Sequence, residues 1–143
     1  MTYRVIALDL DGTLLDHQKR ILPESLSALA EARAAGVKGV VVTGRHHVAF
    51  YQALALDTPA ICCNGTYLYD YQAKQALASD PLSAQQAVQV IQLLDHAEIH
   101  GLMYVDDAML YQHLNGHVSR SINWAGNLPE HQRPAIVHVN SLH

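Results

Sequence analysis

Cysteine is almost absent. The 143 residues hold two, Cys62 and Cys63, and they are adjacent. Neighbouring side chains on a strand face opposite ways, so this pair does not bridge easily. No disulfide framework is available, which fits the cytoplasm, and the two read as small buried apolar residues. Charge is also scarce, at 15% of residues, which argues against a disordered segment or a coiled coil. Basic residues are fewer still. Nine scattered Lys and Arg in a chain of net charge −4 leave no footprint for a nucleic-acid backbone. Long apolar runs are missing: none approaches the roughly 18 residues of a membrane span. Met1 to Arg4 leads straight into a strand with no leader pattern. What the chain does have is 50% apolar composition, enough for a real core, and ten histidines that add positive charge below about pH 6.5.

The chain reads as strand–helix units with short links. Residues 4–9 are apolar without alternation, the pattern of a parallel strand buried on both faces. Pro23 sits in the first turn of a helix that Gly36 ends. Gly39 to Thr43 is a second strand. A helix follows from about His47 to Leu56, broken by Asp57-Thr58-Pro59. Ala60 to Cys63 is a third strand, turned by Asn64-Gly65. Thr66 to Tyr71 and Lys74 to Leu77 suit a small hairpin. A parallel layer of three strands is the economical fold. Composition changes near Ser79-Asp80-Pro81. Beyond it Ser83 caps a helix with apolar Ala87, Val88, Ile91 and Leu94. Gly101 to Val105 and Met109 to Gln112 look like paired strands, Val118 to Trp124 like a short helix, and Ala135 to Val139 like a final strand. The expectation is an α/β fold: a Rossmann-like three-layer core over 1–80 and a second, smaller α/β domain over 81–143.

The chemistry gathers at strand ends. Asp9, Thr43 and Asn64 fall at the C-terminal ends of three neighbouring parallel strands, where open α/β folds bind ligands. Asp9 is a candidate nucleophile, since a carboxylate can attack phosphorus and split hydrolysis into two steps. Asp11 can protonate the leaving oxygen and then deprotonate water. Gly12 lets backbone N–H groups approach phosphoryl oxygens, and Thr13 can lock the turn. Two close carboxylates repel, so a hard cation such as Mg²⁺ is expected beside them. Asp-Gly-Thr is also ordinary turn material, Thr43 could simply start a helix, and Asn64-Gly65 is equally a turn signal. Arg45 suits an anionic substrate or a surface ion pair. His46 and His47 can start a helix, and His96 and His100 lack a third partner for zinc.

The run Asp9-Leu10-Asp11-Gly12-Thr13-Leu14-Leu15 after an apolar strand, Thr43-Gly44-Arg45 and Asn64-Gly65 resemble the haloacid dehalogenase-like hydrolases. They resemble the sugar-phosphatase-like branch with a large α/β cap, over essentially the whole chain. The stretches Tyr51 to Asp70 and Gly101 to Ala108 look like the enterobacterial pyridoxal phosphate phosphatases of that branch. The resemblance implies that Asp9 is the phosphorylated nucleophile and Asp11 the acid/base. It implies that the Asp9 carboxylate and the Asp11 backbone carbonyl hold Mg²⁺, and that Thr43 meets the transferred phosphoryl group. Leu10, Gly44, Arg45 and Asn64 would join it on the phosphate and substrate side. The substrate would be a small phosphomonoester, pyridoxal phosphate first, and residues from about 81 would begin the cap.

The same resemblance raises expectations of incompleteness. The family's core continues with a lysine that neutralises the aspartyl-phosphate and a Gly-Asp…Asn-Asp segment that completes the Mg²⁺ site. Neither occurs here; Lys19, Lys38 and Lys74 are the only lysines and none has that context. The link after Arg45 is about three residues short, a loss that would turn later helical side chains by about 300°. Without the family's next strand, Val5 to Leu8 would become an exposed apolar edge open to self-association. The chain alone is then expected to turn over little or nothing, and the competing reading is a non-catalytic fragment or interaction module.

Overall fold

The computed structural model describes residues 3–47, 58–130 and 133–143. The helix expected from His47 to Leu56, and most of the short link after Arg45, lie outside the described residues. The described chain divides into two compact units, residues 1–80 and 81–143.

In the first unit, β1 (Val5–Leu8) pairs in parallel with β2 (Lys38–Val41), from Val5 opposite Lys38 to Leu8 opposite Val41. The crossover between them is α1 (Pro23–Ala34), with Pro23 in its first turn, where a missing N–H costs nothing. Strand β3 (Ala60–Cys62) meets β2 through a single parallel bridge, Val42 with Ile61. Its main ladder is antiparallel, to β4 (Tyr67–Asp70), which pairs in turn with β5 (Gln75–Ser79). The expected layer of three parallel strands is therefore mixed. Pro59 and the three-residue length of β3 leave little backbone for a parallel ladder, and the Asn64-Gly65 turn folds the chain straight back along it.

The core of this unit is Leu10, Leu14, Leu15, Val41, Ala60 and Cys62, with Ile21, Leu29, Tyr67 and Tyr71 packed against it. Strand β1 corrects one expectation. Its apolar pattern suggests burial on both faces, yet Val5 is 55% and Ile6 38% exposed. Among the described residues β2 is its one partner strand, so side chains suited to an interior lie open.

In the second unit, α2 (Ala84–His96) starts on a full capping box. Ser83 Oγ accepts from the Gln86 N–H, and the Gln86 side chain accepts from the Ser83 N–H. Strands β6 (Met103–Val105) and β7 (Ala108–Tyr111) form a hairpin. After α3 (Gly116–Gly126), β8 (Ala135–His138) adds in parallel to β7. Ile91, Met109, Val118 and Ala125 are its buried apolar residues. Among the described residues no helix is long and apolar enough to cross a membrane.

Candidate active site

The loop after β1 is built by leucines. Leu10 is fully buried, and Leu14 and Leu15 are nearly so. The Leu10 carbonyl accepts the N–H groups of Thr13, Leu14 and Leu15 at 3.3, 3.1 and 2.9 Å. Such a tight return needs a left-handed residue, and Gly12 supplies it at φ +80° without a Cβ penalty. The alternation of anchored leucines with polar residues leaves Asp9, Asp11 and Thr13 exposed. Leu10 thus serves the core with its side chain, and only its backbone is free to face a phosphate. Asp9 accepts a long 3.5 Å hydrogen bond from Thr13 Oγ1.

The second motif is stitched to the third. Thr43 is buried, its N–H donates to the Ile61 carbonyl at 2.9 Å, and its carbonyl accepts from the Asn64 N–H at 3.1 Å. The Arg45 carbonyl accepts from Cys63 N–H at 2.9 Å. Thr43 Oγ1 accepts from the Arg45 N–H at 3.2 Å, so the hydroxyl forms a turn rather than a helix start. A Cβ on Gly44 would lie 2.9 Å from Asn64 Oδ1, so the glycine is what allows Asn64 to close in. Asn64 itself is left-handed, at φ 54°.

Arg45 then joins the first motif to the second. Its Nε and Nη2 donate to Asp11 Oδ2 and Oδ1 at 2.6 and 2.7 Å, a two-bond fork. Lys19 Nζ adds a third contact, to Asp11 Oδ1 at 2.6 Å. The Arg45 hydrogen bonds, with lesser help from Lys19, hold the Asp11 carboxyl far below the usual carboxylate range, against the opposing effect of partial burial. Asp11, Thr43, Gly44, Arg45 and Asn64 therefore form one contiguous set of contacts, with Asp9 two residues from Asp11 on the same loop. Lys19 carries no signal of this role in the sequence. Only the turn that Asp16 organises brings it back to Asp11.

Behind Arg45 lies an aromatic group that the sequence also leaves unmarked. His46 and His47 are buried with ring centroids 4.1 Å apart, and His47 stacks on Tyr69 at 4.3 Å. Tyr71 donates its hydroxyl proton to the His47 carbonyl at 2.7 Å. The two rings pack against each other and against Tyr67, and His47 also against Tyr69. Burial pushes the Cys62 thiol up and that of Cys63 up to about 11, so neither is a ready thiolate at neutral pH. Among the described residues no three His, Cys, Asp or Glu side chains gather as a metal cage.

The strand-end aspartate loop is thus joined to the threonine-glycine-arginine turn through Arg45. Residues 6–140 match the family described as haloacid dehalogenase-like hydrolase, and the chain belongs to that family. It is 63% identical, over 99% of its own length and 53% of the relative's, to pyridoxal phosphate phosphatase YbhA of Escherichia coli (strain K12). The HMP-PP phosphatase of Serratia proteamaculans (strain 568) is 32% identical over 76% of this chain and 40% of that protein. A solved haloacid dehalogenase-like hydrolase from B. subtilis shares the fold with TM-score 0.76 at 23% identity, over 97% of this chain and 55% of that one. The chain thus spans about half the length of the relatives it matches.

Proposed function

We propose that this chain carries the nucleophile-bearing part of a phosphatase site for small phosphomonoesters, with pyridoxal phosphate as the first candidate substrate. Residues 1–80 would belong to the hydrolase core and 81–143 to the start of its cap. The observation that supports this reading most is the joined set Asp11–Arg45–Thr43–Asn64 beside an exposed Asp9. Asp9 is the nucleophile: its carboxylate oxygen attacks phosphorus, the ester oxygen leaves, and an aspartyl-phosphate forms. Asp11, ionised under the Arg45 fork, would take a proton from the attacking water; it would give one to the departing oxygen only once the arriving phosphate draws Arg45 off it. Thr43, Gly44, Arg45, Asn64 and the Leu10 backbone face the phosphoryl group and substrate.

Two oxygens of the Asp9–Asp11 loop would serve a hydrated Mg²⁺. Its protein ligands would be the exposed Asp9 carboxylate and the Asp11 backbone carbonyl, and Mg²⁺ is commonly held by one or two protein oxygens with waters completing the shell. When bound, the cation neutralises charge on the phosphoryl oxygens.

The deciding experiment mixes the chain with pyridoxal phosphate and other small phosphomonoesters, with and without Mg²⁺. It follows released phosphate and, by mass, a phosphoryl group on Asp9. Slow, Mg²⁺-dependent release and an adduct that Asp9→Asn removes are expected. Release indifferent to Asp9→Asn would refute the reading. The open apolar side chains of β1 favour a second reading, a non-catalytic interaction module. It predicts no adduct at all.

A further inference from the structure

Asp11 is held by a cation that none of the strand-end motifs contains. Lys19 reaches it from a turn built around Asp16. Asp16 Oδ1 accepts from the N–H groups of Gln18 and Arg20, each at 2.8 Å, and Oδ2 from the Arg20 guanidinium at 3.3 and 3.2 Å. The Asp16 N–H donates to the Arg20 carbonyl, and its carbonyl accepts from the Lys19 N–H, both at 2.9 Å. A bridge between Leu15 and Ile21 closes the base, and Leu15 is buried in the core. The turn leaves Lys19 left-handed at φ 62°, a conformation that residues with a Cβ adopt rarely. Its ammonium ends 2.6 Å from Asp11 Oδ1.

The two cations on Asp11 have different origins. Arg45 stands on the Thr43–Arg45 turn, which under the proposed function meets the substrate phosphate. A guanidinium fork suits phosphate as well as carboxylate, so an arriving phosphate competes with Asp11 for Arg45. Lys19 is fixed from the opposite segment, independently of that turn. Half-exposed pairs of this kind add little stability, so such a contact matters through placement.

We propose that Lys19 is a positioning residue: it keeps the Asp11 carboxylate turned over the site when a substrate phosphate draws Arg45 away. The proposal rests on the phosphatase reading for the identity of the anion, but its primary test does not need turnover. Lysine-selective ¹H–¹⁵N NMR resolves ammonium groups that ion pairing shelters from exchange. Only three lysines are present, so Lys19→Arg assigns the signal. The expected result is a sheltered Lys19 signal that survives saturating inorganic phosphate and disappears in Asp11→Asn. A signal indifferent to Asp11→Asn, or one that appears only with phosphate, overturns the proposal. In single-turnover mixing with pyridoxal phosphate, Lys19→Met should slow phosphate release about tenfold with substrate affinity within about twofold, and Lys19→Arg should restore it. Weakened affinity at an unchanged rate would make Lys19 a substrate ligand and also overturn it. If the unaltered chain releases no phosphate, the phosphatase reading alone fails, and the ammonium signal decides the role of Lys19.

Discussion

Gly44 shows how one missing methyl group shapes the site. An added Cβ meets Asn64 Oδ1 at 2.9 Å, the far end of a side chain that can swing away, so the fold tolerates it while Asn64 is displaced. Gly44→Ala is expected to lower phosphomonoester kcat/KM about tenfold while changing stability by less than about 1 kcal/mol. Steady-state kinetics beside urea unfolding separate the two, and a loss of stability without a kinetic change would refute the role given to Asn64. Cys63 makes a second prediction, in pH. Its thiol is pushed up to about 11 in the folded chain by burial first and by Cys62 second. A raised acid stabilises the fold fully below the unfolded value, and that contribution is lost as pH rises through the folded one. Urea midpoints should therefore fall between about pH 8.5 and about pH 11, and fall less in Cys63→Ala. Equal falls would show that Cys63 is not coupled to folding. Of the candidate site, Asp9, Asp11, Thr43, Arg45 and Asn64 stand out in the sequence because each sits beside a glycine or at a strand end. It conceals Lys19, whose place depends on backbone hydrogen bonds to Asp16, and the buried His46–His47 pair, whose setting depends on tyrosines some twenty residues on.

Elements were legible where a local signal fixes them. Pro23 at the start of α1, Ser83 before α2 and the apolar run of β1 all have local causes, and the structure has each element where the sequence expects it. Pairing is legible only in part: β3 keeps a parallel bridge to the end of β2, but a three-residue strand followed by a left-handed Asn64 gives its main ladder to the chain that returns along it. Helix α3 offers the quantitative test at this scale. Asn115 Oδ1 accepts the N–H groups of His117 and Val118, both at 2.9 Å, and its amide donates to the His100 carbonyl at 3.1 Å. One side chain therefore satisfies two of the helix's open donors and ties its start to the segment before β6. Asn115→Ala should cost about 1–2 kcal/mol, at the upper part of the range for a cap because a third hydrogen bond goes with it. Urea unfolding followed by the fluorescence of Trp124, the lone tryptophan and a member of α3, reads this directly. A midpoint unchanged from the parent chain would show that the cap is replaced by water at no loss.

For the molecule as a whole, the sheet edge at β1 dominates. Its residues are chosen for an interior, yet Val5 and Ile6 stand 55% and 38% exposed beside backbone groups with no further strand among the described residues. An apolar strand with an open edge is a template for another strand, and this one carries none of the usual protection by inward-pointing charge, proline or bulge within Val5–Leu8. Net charge of −4 opposes association only weakly once salt shortens its reach to about 8 Å at physiological strength. Two copies meeting edge to edge would bury both rows of backbone groups and the β1 side chains together. Concentration-dependent self-association is therefore expected, strengthened by salt because charge repulsion is screened while apolar burial is not. Ile6→Lys places a charge on that edge without removing a buried residue, so it should suppress association while leaving the unfolding free energy of the monomer within about 0.5 kcal/mol. Sedimentation velocity over a hundredfold range of concentration, at low and high salt, gives the answer. A parent chain that stays monomeric throughout would mean that the edge is closed in solution. Association that Ile6→Lys leaves intact would place the contact elsewhere on the surface.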